Sequence, residues 1–196
     1  MEQGDQGAEQ GDQSATSDVL LSERVGGVLV LTFNRPQARN ALNPELKDRL
    51  LQAMRDADSD PDVRAVVITG NGPIFCAGMD LKAFAGGAAF GGLADFYQTG
   101  IGKPLIAALN GPTLGGGTTV ATRIPLAVAL ELGLIGDPIT AARAERLGLV
   151  NMVVPADEVR KEAVAVAEKL AANGPLAVAL TKKLIRERRP PAWTGK

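Results

Sequence analysis

Apolar positions along the chain come in short blocks whose period changes from one block to the next. VLLSERV (19–25) and VLVLTF (28–33) are two strand-like runs joined by Gly26-Gly27, a hairpin signal. In LNPELKDRLLQAMRDAD (42–58) the period lengthens to that of a helix: Leu46, Leu50, Met54 and Ala57 share one face, suited to packing on a sheet. Asn43 stands at the N-cap, Pro44 in the first turn and Glu45 beside the positive end of the helix dipole. VRAVVIT (63–69) is apolar and rich in β-branched residues, the pattern of a strand buried on both faces, and LIAAL (105–109) repeats that character.

Beyond residue 124 the texture changes. Residues 125–134 read as an apolar helix, Thr140 caps a short helix ending at Gly148, and LVNMVV (149–154) reads as a strand. Segments 157–172 and 175–188 are then two helices separated by Asn173-Gly174-Pro175. Alanine and aliphatic residues cover more of their surface than one monomer's core requires. They form either a cap on the core or a subunit interface, and the interface is the preferred reading. Strand, helix, strand, glycine break, strand, glycine break: this order predicts an α/β fold with a largely parallel sheet. The expected layout is a disordered tail over 1–18, an α/β core over 19–124 and a helical segment over 125–196.

Composition narrows the function more than the fold. The 196 residues suffice for one sizeable core. A net charge of -1, with Lys+Arg 21 against Asp+Glu 22, carries no electrostatic footprint for nucleic acid. No apolar run is long enough to span a bilayer, so no membrane partner is expected. The first eighteen residues are polar and acidic, contain Glu-Gln-Gly-Asp-Gln twice and lack the apolar stretch of a secretory signal. Cys76, the one cysteine, excludes an internal disulfide and fits a reducing, cytoplasmic setting. There is no histidine. That removes Ser-His-Asp and Cys-His catalysis and the usual imidazole ligands of zinc, so no metal site is expected. Chemistry must rest on carboxylates, hydroxyls, lysine or backbone dipoles.

Backbone dipoles are what two glycine breaks offer. NGPIFCAGMDLKAF (71–84) and KPLIAALNGPTLGGGTTV (103–120) each leave a strand through small residues, where amide N–H groups can approach a ligand closely. One N–H from each break, directed at one oxygen, would form an oxyanion hole for an enolate or tetrahedral intermediate. Taken singly, each break is as well read as an ordinary tight turn. Neither matches a phosphate-binding loop.

These two segments, with NRPQARNALN (34–43) and LIGDPITAARAERLGLVNMVVPADEV (134–159), resemble the enoyl-CoA hydratase/isomerase, or crotonase, family. The resemblance implies a spiral of ββα units with C-terminal helices that build a homo-trimer or a hexamer. It implies an acyl-CoA thioester as ligand, with coenzyme A as part of the substrate and no separate cofactor. The N–H groups of Met79 and Gly116 take the role of oxyanion donors. Ala77, Gly78, Met79, Asp80, Leu81 and Gly116 take that of the substrate-binding surface.

The chain also departs from the pattern. Family hydratases carry a glutamate two residues after the third glycine, where this chain has Thr119. The segment expected to hold a further strand and the second catalytic glutamate has no counterpart, and GTTVATRIP (117–125) resembles a later stretch of the family as well. Asp80, Glu131 and Asp137 fall where a helix start, an apolar helix and a proline turn would use them structurally. The resemblance therefore implies nominal enoyl-CoA hydration. A catalytically impaired relative, acting as a binding or oligomerisation partner, is the alternative.

Overall fold

The computed structural model describes residues 18–87, 100–114 and 124–187. Gly26-Gly27 closes the expected hairpin, with Gly26 in the left-handed region at φ 54°. β1 (Leu20–Val25) and β2 (Val28–Phe33) pair antiparallel from Val25 opposite Val28 to Leu20 opposite Phe33. α1 (Pro44–Ser59) then crosses over to β3 (Ala65–Gly70), which lies parallel to β2, and β4 (Leu105–Ala107) adds in parallel to β3. The order is β1-β2-β3-β4. A hairpin followed by a helical crossover to a parallel strand is one ββα unit, and the fold is the mixed α/β arrangement that the pattern predicts.

Side chains alternate across this sheet with the strand period of two. Leu31 and Phe33 of β2 and Val66 and Ile68 of β3 point to one face, where they meet Leu46, Leu50, Met54 and Ala57 of α1. The Asn43 side chain accepts from the Leu46 N–H at 2.9 Å and so caps that helix as expected. Val28 and Val30, with Ala65 and Val67, point to the other face, against Ala163 and Ala167 of α5 (Val159–Ala171). Alanines on both sides of this contact let helix and sheet approach closely.

Three expectations change. α5 is a cap: it covers the second face of the sheet, so the helical segment is partly core and not only an interface. LVNMVV forms no strand, because no strand lies beside it among the described residues to take its hydrogen bonds; the Val153 N–H donates instead to Glu145 Oε1 at 3.2 Å. β4 is shorter than LIAAL, and its Leu105 and Ala107 are exposed rather than buried. They share the face of Val66 and Ile68, and nothing among the described residues covers them there.

The other helices pack less. α3 (Leu126–Ile135), α4 (Ala141–Arg146) and α6 (Pro175–Glu187) contain no buried residue. α4 is capped by the Thr140 side chain, which accepts from the Arg143 N–H. α6 is tied to the core by Lys182, whose Nζ donates to the carbonyls of Ile101, at 2.8 Å, and Lys103. Lys103 in turn donates to the carbonyls of Ala57 and Asp60 at the end of α1. Burial pushes the pKa of both amines down. No single helix among the described residues is long and apolar enough to cross a membrane.

The seat of α5 is open to test. Ala167 is fully buried against the sheet, so Ala167→Leu should overpack that contact and lower unfolding stability by about 1–3 kcal/mol. Denaturant unfolding of the variant at wild-type stability would show that α5 does not sit there.

Candidate functional site

β3 delivers the chain to Gly70, and from there the first glycine break turns through Gly72, at φ 83°, into an irregular stretch over 75–79. Close backbone approach is enforced at two glycines. A Cβ on Gly70 would lie 2.7 Å from the Phe75 carbonyl oxygen, and one on Gly111 only 2.0 Å from that of Pro73. Two asparagines hold the turn. Asn110 accepts from the Gly70 N–H at 3.0 Å and donates to the Gly72 carbonyl at 2.7 Å. Asn40, fully buried at φ 53°, donates to the carbonyls of Asn71 and Ile74 at 2.9 and 2.7 Å and accepts from the Arg35 N–H at 2.9 Å. A buried amide with three such partners has its polar atoms satisfied, which is the condition for tolerating it inside a core.

The stretch 75–79 lies between two others. On one side the Ala77 N–H donates to the Arg39 carbonyl at 3.0 Å, that of Leu42 to Gly78 at 2.8 Å, and that of Asp80 to Leu42 at 2.9 Å. On the other, the Phe75 N–H donates to Pro112 at 3.2 Å and the Leu114 N–H to Cys76 at 2.9 Å. The approach to the second glycine break is thus bonded alongside the first. The structure thus lays the second segment, as far as Leu114, beside the first break.

This pairing fixes one amide in particular. The Gly78 carbonyl is engaged by Leu42, and in a trans peptide the next N–H points the opposite way. The N–H of Met79 therefore faces away from Leu42, and it takes no hydrogen bond among the described residues. Gly78 sits at φ 87°, a conformation that side chains resist. Ala77, Gly78, Met79, Asp80 and Leu81 are all placed here; Gly116 and Thr119 lie outside the described residues.

Asp80 is occupied structurally. One carboxylate oxygen accepts from the N–H groups of Lys82 and Ala83 at 3.2 and 3.3 Å, capping α2 (Leu81–Ala85). The other accepts from both terminal nitrogens of Arg35 at 3.2 Å. The Ala83 N–H, foremost, holds the carboxyl below the usual carboxylate range; partial desolvation opposes this and Arg35 adds to it. Cys76 is buried, and burial pushes its thiol up, away from the nucleophilic thiolate. No three Cys, Asp or Glu side chains among the described residues come together as a metal site would need. A groove of about 480 Å³ runs along α1, lined by Glu45, Asp48 and Arg49 among others, and none of residues 77–81 lines it.

The comparisons with known proteins meet this geometry from outside. The enoyl-CoA hydratase/isomerase family model matches residues 23–123 and again 118–192. The chain belongs to the enoyl-CoA hydratase/isomerase family. An enoyl-CoA hydratase of Mycobacterium tuberculosis is 36% identical, over 85% of this chain and 80% of its own length. The 2,3-dehydroadipyl-CoA hydratase of Escherichia coli is 33% identical, over 86% and 82%. Among solved structures, an enoyl-CoA hydratase from M. tuberculosis superposes with TM-score 0.82 at 38% identity, covering 90% of this chain and 84% of that one. A carnitinyl-CoA hydratase from Mycobacterium avium gives 0.81 at 36%, covering 87% and 81%.

The two matches to the family model overlap, since both claim 118–123. One short stretch thus matches two parts of the family pattern. The alignment to the M. tuberculosis relative is longer than the part of this chain that it uses. It runs over 212 positions and uses only 85% of a 196-residue chain, so the relative has residues that this chain lacks. Around the break, Met79 is 44%, Phe84 56% and Leu81 76% exposed, an apolar surface open to solvent in the single chain.

Arg35, Asn40 and Asn110 were not singled out by sequence. The Asn-Gly pairs at 71–72 and 110–111 were the available signal for the turns, but no local pattern says which distant amide a buried asparagine will hold. The role given to Asp80 has a pH signature. Its folded pKa is depressed, so its contribution to stability is present in full above the unfolded carboxylate value of about 3.9 and is lost as pH falls through the folded value. The stability difference between wild type and Asp80→Asn should be constant above about pH 5 and shrink on acidification. A difference that does not change between neutral and strongly acid pH would show that the charge of Asp80 has no part in it.

Proposed function

We propose that the chain binds acyl-CoA thioesters and polarises the thioester carbonyl with the backbone N–H groups of Met79 and Gly116. The observation that carries this is the Met79 amide, unpartnered among the described residues and held in a peptide plane anchored by Leu42. Two donors aimed at one oxygen favour the charge that develops on it when a nucleophile adds to the conjugated double bond. The exposed side chains of Met79, Leu81 and Phe84 offer apolar surface to the ligand. Coenzyme A enters as part of the substrate, and no further cofactor is called for.

Hydration of a 2-enoyl-CoA is the nominal reaction, by kinship with the hydratases above. It needs an acid and a base placed to deliver water across the double bond. Asp80, the carboxylate next to Met79, is engaged by the cap of α2 and by Arg35. Thr119 stands where the family's first glutamate would, in the stretch that two registers share. The chain therefore retains carbonyl polarisation and adds water slowly.

The exposed leucines of α3 and α6, with Leu126 at 72% and Leu176 at 72%, support assembly into a homo-trimer or hexamer. A reducing, cytoplasmic setting suits the one buried thiol. Light scattering at micromolar concentration should report an oligomer; a monomer would remove the assembly.

The decisive measurement follows crotonyl-CoA hydration by loss of enoyl absorbance, with binding measured on the same sample. Binding is expected, with turnover far below the enzyme median of about 10 per second, because each missing acid–base group costs roughly a hundred- to ten-thousandfold. Thr119→Glu alone should not restore the rate, since its partner is still absent. Turnover at the median or above would show that a carboxylate here assigned to structure is catalytic, and failure to bind any acyl-CoA would end the thioester reading.

A further inference from the structure

Arg35 is held at both ends. Its N–H donates to Asn40 Oδ1 at 2.9 Å, and its carbonyl accepts from the N–H groups of Ala38 and Asn40, each at 2.9 Å. Its guanidinium donates to the Ala41 carbonyl and, through both terminal nitrogens, to Asp80. Leu42 lies between these anchors and makes the two bonds, to the Gly78 carbonyl and from the Asp80 N–H, that flank Met79. Residues 35, 41, 42, 78 and 80 thus close a ring of hydrogen bonds with the Met79 amide on its outer edge. Both charged side chains are mostly shielded, at 15% and 18% exposure, so solvent screens the pair little.

The ring constrains a direction. Turning the 78–79 peptide away from its present plane requires Leu42 to release Gly78, and Leu42 cannot move alone. Its neighbour Ala41 is fastened to the guanidinium, and that guanidinium is fastened to Asp80. The helix cap needs only an acceptor at residue 80. The fork onto Arg35 needs a charge, because paired N–H donors bind a carboxylate far better than an amide.

We propose that Arg35 and Asp80 are positioning residues, which set the direction in which Met79 presents its N–H to a thioester carbonyl. The inference rests on the carbonyl-polarising function proposed for the same site, and it assigns that site's aim to the ion pair of Arg35 with Asp80. Neither residue touches the reacting atoms.

Asp80→Asn separates the two duties of Asp80, since asparagine caps a helix as well as aspartate does but cannot hold the charged fork. The probe is a cinnamoyl-CoA carrying a para-dimethylamino group, whose absorption moves to longer wavelength as its carbonyl oxygen is hydrogen-bonded. Wild type should bind it with a red shift. Asp80→Asn at saturating probe should lose most of that shift, with Kd raised only a few-fold, because contacts to the rest of the coenzyme are intact. Arg35→Gln makes the same cut from the other side and serves if Asp80→Asn does not fold; Arg35→Lys, which keeps the cation, serves if neither does. Variants that bind with the full wild-type shift and merely a lower Tm would overturn the positioning role and leave the polarising function standing. Wild type that binds without a red shift, or not at all, would overturn both.

Discussion

β3 must be covered on both faces, and the rest of the molecule is arranged by that requirement. Its residues alternate between Val66 and Ile68 on one side and Ala65 and Val67 on the other, all buried. A strand of this kind has no solvent face, so a helix must lie on each side of the sheet. α1 supplies one and α5, far along the chain, the other. β3 ends at Gly70, where the backbone leaves the sheet for the candidate site. In open parallel sheets ligand sites gather beyond the carboxyl ends of the strands, because the loops leave there together.

What the site offers is backbone. The Met79 amide is aimed by a peptide plane and a hydrogen bond, and its side chain plays no part in that aim. Such a donor costs no reorganisation when charge develops on a bound carbonyl, provided its plane cannot turn. Polar side chains hold the backbone around it: Asn40 and Asn110 on the turn, and Arg35 and Asp80 around Leu42. The carboxylate nearest the amide is thereby absorbed into structure. In the proposed function that amide polarises a carbonyl, and the addition of water needs an acid–base pair besides.

Apolar surface is left open among the described residues. In the single chain Leu105 and Ala107 of β4 face solvent, and α3 and α6 contain no buried residue, although both are rich in leucine. A helix as apolar on all sides as α3 is stable when something covers it. The described residues supply no such cover.

The sequence by itself determined the elements whose pattern is local. The Gly26-Gly27 hairpin, the Asn43 cap, the inner face of α1, the buried run of β3 and the cap at Asp80 are all legible, because each depends on residues within a turn or two of one another. Four ordered motifs also carried the family. Only the tertiary structure decided that α5 closes the second face of the sheet and that LVNMVV pairs with no strand among the described residues, since both depend on which distant elements come to lie beside them. It likewise decided that Asn40 reaches Asn71 and Ile74 and that Arg35 reaches Asp80. A buried amide or guanidinium carries no period and no spacing rule. Which carbonyl or carboxylate satisfies it is settled when the layers pack and every polar group left inside must find a partner.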